Sequence, residues 1–132
     1  MAGPGFLLSR VLSYNVMSLR QAGRVNDLAK VLRRKGCLCL QGTREPAGDQ
    51  PVAYRGGLGF HQFSSGYSKV SNKHAGVAIF VSDRVPLECV SSVAWPTELP
   101  LRGRALALRI KTTQSVIVFV SAYVPPYCWA AP

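Results

Sequence analysis

The chain has 132 residues, enough for one domain and too few for a multidomain machine. Hydrophobic residues make up 48% and charged ones 17%, which excludes a disordered, solvating tail. Sixteen basic residues against six acidic ones give a formal charge of +10. That balance favours a polyanionic partner and leaves few carboxylates for an acid-rich catalytic centre.

In chain order, residues 10–16 predict a strand ending in a polar turn. Residues 24–35 predict one long helix. Val25, Leu28, Ala29 and Leu32 share a face at i, i+3, i+4, i+7, while Lys30, Arg33 and Arg34 take the other. Gly36 supplies the stop. Residues 37–41, Cys-Leu-Cys-Leu-Gln, form a short apolar run, hence a buried strand. Strand, helix and strand make a βαβ unit, whose crossover is expected to be right-handed.

Residues 42–75 are rich in Gly, Ser and Pro, with one strand near 58–63. Strands follow at 76–82, 88–94, 104–111 and 115–123, punctuated by Pro86, Pro96 and Pro100. This reads as an antiparallel meander. The predicted class is α/β: a mixed, mostly antiparallel sheet with one helix on a face. The apolar end, from Pro125 to Pro132, leads us to expect a domain that is incomplete over 1–132.

No run approaches the ~20 apolar residues of a membrane span. The first residues lack the basic segment of a secretory signal. The expectation is an intracellular protein without a membrane partner. Cys37, Cys39, Cys89 and Cys128 do not follow zinc-finger spacing and read as small buried hydrophobes.

Four blocks carry recognisable text. They are Ser13-Tyr-Asn-Val-Met-Ser-Leu-Arg20, Leu40-Gln-Gly-Thr-Arg44, His74-Ala-Gly-Val-Ala-Ile-Phe80 and Val120-Ser-Ala-Tyr-Val-Pro-Pro126. In this order and spacing the chain resembles the front half of the endonuclease/exonuclease/phosphatase family. The flavour is that of the apurinic/apyrimidinic-type endonuclease domain of non-LTR retrotransposons. The resemblance implies the first half of a four-layer α/β sandwich. It also implies Mg²⁺-dependent phosphodiester hydrolysis on DNA, and nuclear placement for a chain acting there. A missing C-terminal half would supply the second sheet. Without it, an exposed sheet face invites self-association.

Carried over residue by residue, the resemblance makes Asn15 and Tyr123 candidate catalytic positions. Asn15 would donate to a phosphate oxygen or orient water, and the Tyr123 hydroxyl would lie near the scissile phosphate. Arg20, Arg44 and His74 become candidate nucleic-acid contacts. Each has a plainer alternative: a strand-end Asn, a core aromatic, solvated surface charges, a loop histidine.

The departure is at the metal. The family's metal-ligand Glu falls on Gly42, which has no carboxylate. Glu45 is the nearest acid that could swing back as a ligand, although Pro46 restricts its backbone. The later G-D-F-N and S-D-H blocks do not occur in these residues. The expectation is therefore a truncated endonuclease-like domain, inactive as the isolated chain. The alternative is a small basic, non-catalytic nucleic-acid-binding protein using Arg33, Arg34, Lys35, Arg102 and Arg104. A third reading is a phosphatase acting on small phosphate esters.

Overall fold

Two parallel strands and the helix between them open the fold. In the computed structural model, which describes residues 8–71 and 73–124, β1 (Val11–Asn15) pairs in parallel with β2 (Cys37–Gln41). The register runs from Val11 opposite Cys37 to Asn15 opposite Gln41. Helix α1 (Arg24–Leu32) connects them. It buries Leu28 and Leu32, with Val25 and Ala29 beside them. It is three residues shorter than the sequence predicts. Beyond Leu32 the backbone tightens: Arg34 N–H donates to Val31 O at 3.1 Å and Lys35 N–H to Leu32 O at 3.1 Å. These i→i+3 bonds satisfy carbonyls that a longer helix would have used.

The first sheet has five strands in the order β1-β2-β5-β4-β3, with β3 at Ala53–Arg55, β4 at Phe60–Ser65 and β5 at Val77–Ser82. β5 lies at its centre, antiparallel to both β2 and β4. Alternation along its strands divides the interior in two. Val77, Ile79 and Val81 join Cys37 and Cys39 in one cluster, while Ala78 and Phe80 join Leu38, Leu40 and the α1 residues in the other. Phe60 and Phe80 stack in the helix-side cluster, 4.6 Å between centroids.

The second sheet is an antiparallel meander, β6 (Val90–Ala94), β7 (Ala105–Lys111) and β8 (Val116–Ala122). Leu106, Leu108, Ile110 and Phe119 point into the cluster shared with the first sheet. Arg109 and Lys111 point outward, as do Val116, Val118 and Val120. The layers are therefore helix, sheet, sheet.

This corrects the expectation that a missing half supplies the second sheet. It also splits the predicted meander. Residues 77–82 are apolar on both faces and take a central, doubly covered place. β7 and β8 are buried along one face only, although Val116, Val118 and Val120 make β8 apolar on both. The strand read at 58–63 starts at Phe60, because Gly57 and Gly59 turn with φ of 103° and 89°. β3 has only three residues, all exposed, and leaves no pattern in the sequence.

Cys37 and Cys39 are free thiols in the core between the sheets. Their hydrogen bond, then burial, holds the Cys37 thiol far above its ordinary range. Cys128 lies outside the described residues. Among the described residues no helix is long and apolar enough to cross a membrane.

Candidate functional site

Backbone pairing continues past the ends of β1 and β2. Val16 N–H donates to Gln41 O (2.9 Å), Ser18 N–H to Gly42 O (2.8 Å) and Leu19 N–H to Thr43 O (2.9 Å). On the other side, Thr43 N–H donates to Gly76 O (3.0 Å) and Arg44 N–H to Ala75 O (2.8 Å). Three segments, around residues 15–19, 41–44 and 74–76, thus form one floor. Gly76 has φ 106°, and a Cβ there would collide with Thr43 Oγ1, so the close approach requires glycine. The second sheet reaches the same place, where Tyr123 N–H donates to Arg104 O at 2.7 Å.

Together these segments enclose an open cleft of about 490 Å³. Asn15, Gly42, Arg44, His74 and Tyr123 line it, with Gln41 at its base. Three of the four resemblance blocks meet at their strand ends, and the fourth supplies His74.

Asn15 closes a local turn, its Oδ1 accepting Met17 N–H at 3.1 Å. That leaves its Nδ2 hydrogens as donors. Gly42 has φ 69°, and a Cβ built on it would stand 2.6 Å from Asn15 Oδ1. Position 42 therefore opens directly onto Asn15. Among the described residues, the non-glycine positive-φ residues are Met17 (54°), Ser18 (115°) and Arg44 (58°), all in the floor segments. Strain of this kind gathers where a fold holds side chains for a task.

Arg44 is half-buried, and its Nε is buried without a hydrogen-bond partner. The Nε atoms of Arg102 and Arg104 are in the same condition. Residues 102–104 pack behind the floor, where Gly103 O accepts Gly76 N–H at 2.8 Å. The basic residues grouped in the sequence therefore do not share one face. Arg102 and Arg104 back the cleft, whereas Arg33, Arg34 and Lys35 follow α1.

Two candidates stay outside. Glu45 faces a separate recess of about 140 Å³ with Tyr54, Arg55 and Gln62. It is not among the residues lining the cleft, and the 45–47 backbone beside it is tied to residue 67. Tyr67 N–H donates to Glu45 O (3.0 Å) and Ala47 N–H to Tyr67 O (2.8 Å). Burial raises the Glu45 carboxyl above the usual carboxylate range, and the charges of Arg55 and Arg20 partly offset this. Arg20 is exposed and is not among the residues lining the cleft.

The resemblance implies Mg²⁺, a hard cation that takes carboxylate and water oxygens. The cleft does not fit it. Among the described residues no carboxylate lines the cleft, the Asn15 amide oxygen is engaged, and the Arg44 guanidinium opposes a second cation. Among the described residues no three His, Cys, Asp or Glu side chains converge.

Gln41 is the residue the sequence reading passed over. Its Nε2 is within hydrogen-bond reach of Ser13 Oγ (3.1 Å), Cys39 O (3.0 Å) and Ser121 Oγ (3.0 Å). Ser121 Oγ in turn donates to Leu40 O at 2.7 Å. This ties β2 to β8 beneath the cleft. The available signal was one polar residue closing an otherwise apolar strand. The second histidine, His61, is engaged elsewhere, with the Tyr54 hydroxyl (2.8 Å) and Val85 O (3.0 Å).

Among solved structures the chain is similar to the catalytic domain of Xenopus laevis APE2. The TM-score is 0.59 and the identity 18%, over 88% of this chain and 45% of that one. It is likewise similar to the AP endonuclease LMAP from Leishmania major, with a TM-score of 0.58 and 16% identity, over 89% of this chain and 41% of that one. The chain spans less than half the length of either. No protein-family model and no curated protein matches it. The shared feature is the fold: part of an AP-endonuclease-like α/β sandwich.

Proposed function

We propose that this chain is a partial endonuclease-like domain of the non-LTR retrotransposon kind that holds DNA phosphates in its cleft without cutting them. It would act in the nucleus. One observation carries this reading. The cleft gathers Asn15, Arg44, His74 and Tyr123, while the position facing Asn15 is a glycine and, among the described residues, no carboxylate lines the site.

The chemistry follows from the donors. The Arg44 guanidinium makes charge-assisted bonds to phosphate oxygens and gives its buried Nε a partner. Asn15 Nδ2 adds neutral donors, and Tyr123 also lines the cleft while packing against the core between the sheets. His74 adds an imidazole to the lining. This set binds a phosphodiester but lacks what hydrolysis needs most, a cation to stabilise the charge developing on the leaving oxygen. Two AP endonucleases among the structural neighbours favour DNA as the polymer, as does the +10 charge.

Duplex binding followed by fluorescence anisotropy across salt, beside nicking of supercoiled plasmid with Mg²⁺, tests the proposal. We expect binding that weakens steeply with salt, a loss of about one unit of log–log salt slope in Arg44→Gln, and no nicking. Mg²⁺-dependent nicking that disappears in Asn15→Ala would overturn it. So would the absence of binding at low salt.

A further inference from the structure

Arg44 lines the cleft, and the next residue, Glu45, lines the separate recess of about 140 Å³. Arg55, Gln62, Tyr54 and Ser64 line that recess with it. Gln62 is 5% exposed; its Nε2 donates to Ser64 Oγ at 3.3 Å, and its Oε1 is buried without a hydrogen-bond partner. Glu45 Oε1 is in the same condition. Arg55 lies opposite Gln62 in the register of β3 and β4, so the two side chains share a face of the sheet. The Tyr54 hydroxyl is already engaged with His61 Nδ1 at 2.8 Å.

Two lone acceptors and one guanidinium define what can fill the recess. A buried acceptor without a donor is costly, and native structures nearly always supply one. A metal or ammonium ion would suit both oxygens, but the Arg55 guanidinium lines the same recess and the charge of Arg20 also acts on Glu45. An anion would suit Arg55 and oppose the two oxygens. The fitting ligand is neutral, with N–H donors along one edge and acceptors along another. The volume sets its size. A cavity of about 150 Å³ takes benzene, so one six-membered ring fits and a fused pair does not.

Cytosine has these edges. Its N4 amino group offers two hydrogens, and a carboxyl oxygen accepts well from N4. N3 and O2 then remain for Arg55. Thymine presents one N–H between two carbonyl oxygens, which would set an oxygen against one of the lone acceptors. The base must be out of its stack to enter. Arg44 and Glu45 are consecutive, with Cα atoms about 3.8 Å apart, so one strand reaches both the cleft and the recess.

We propose that the recess takes an unpaired cytosine of a DNA strand whose phosphate is held at Arg44, the amino group donating to Glu45 and Gln62. Selection of the base depends on the recess alone, and the hold on the strand rests on the function proposed for the cleft.

Fluorescence anisotropy at low salt on the full chain tests this with three labelled single strands. They are a thymidine pentanucleotide, the same strand with a central cytosine, and the same with a central 2-pyrimidinone, which is cytosine without its amino group. Wild type is expected to bind the cytosine strand about tenfold more tightly than the other two, the worth of one good polar contact to a base. Gln62→Met keeps the bulk and removes a lone acceptor, and should bring the cytosine strand to the thymidine level. Arg44→Gln should weaken all three strands alike and keep the preference. Equal binding of the three strands by wild type overturns the proposal, leaves the cleft reading intact and makes the recess a water site; this outcome does not depend on how any variant folds. A preference unchanged in Gln62→Met overturns it as well. A central adenine that gains as much as cytosine would overturn the single-ring fit. Thymidine binding unchanged in Arg44→Gln overturns the cleft reading instead, and a cytosine preference that persists there still supports the recess.

Discussion

Gly42 offers the sharpest test of how the cleft is built. Its φ of 69° lies in the left-handed region, and a Cβ there would stand 2.6 Å from Asn15 Oδ1. Gly42→Ala carries two costs. Holding an L-residue left-handed costs about 1–2 kcal/mol. Displacing Asn15 breaks its bond to Met17 N–H, worth about 0.5–1.5 kcal/mol. The sum is about 1.5–3.5 kcal/mol, or roughly 10 °C in Tm at its middle for a domain of this size. Urea and thermal melts followed by circular dichroism measure it. Gly42→Glu carries the same backbone cost and adds a carboxylate beside Asn15. It should gain stability and DNA affinity on addition of Mg²⁺, where Gly42→Ala gains neither, because Mg²⁺ is commonly held by one or two carboxylates plus a substrate phosphate. Gly42→Ala within about 0.5 kcal/mol of wild type, well under the sum above, would refute the packing argument. Identical Mg²⁺ responses in the two variants would show that side chains at 42 do not enter the cleft.

Two further outcomes are expected. Glu45 has a carboxyl raised by burial, so its contribution to stability is full below the ordinary Glu range and is lost as pH rises through the raised value. Glu45→Gln should therefore raise Tm by a degree or two at neutral pH and leave it unchanged in acid; the reverse ordering refutes the burial argument. Val118→Lys/Val120→Lys on the outer face of β8 should shift the chain toward monomer in sedimentation velocity, since Val116, Val118 and Val120 lie 47%, 56% and 58% exposed on an edge strand. An unchanged distribution would remove that face as the seat of self-association.

What the sequence made legible follows from what periodicity encodes. The βαβ start was readable because α1 repeats every third or fourth residue and β2 is an uninterrupted apolar run. Asn15, Arg44, His74 and Tyr123 come from the blocks singled out in the sequence, and they line one cleft. The division into two sheets was not legible. Both β5 and β8 spell apolar strands, and only the partners they find in space separate a central strand from an edge one. The end of α1 was misplaced because Arg33, Arg34 and Lys35 continue a helical polar face while the backbone has already tightened. Glu45 looked near Gly42 in sequence, yet the bonds between residues 45–47 and 67 hold that segment in place, and its side chain faces another recess. The tie from Gln41 to Ser121 spans 80 residues, beyond the reach of any local pattern.

That tie joins the two sheets whose strand ends carry the cleft. Asn15 ends a strand of the first sheet and Tyr123 follows the last strand of the second, so the gap between them reports the spacing of the sheets. A bulkier core side chain at Ile79 or Leu108 would act as a wedge and widen the mouth from within. The width of the opening would then change from the interior, with every lining residue left as it is.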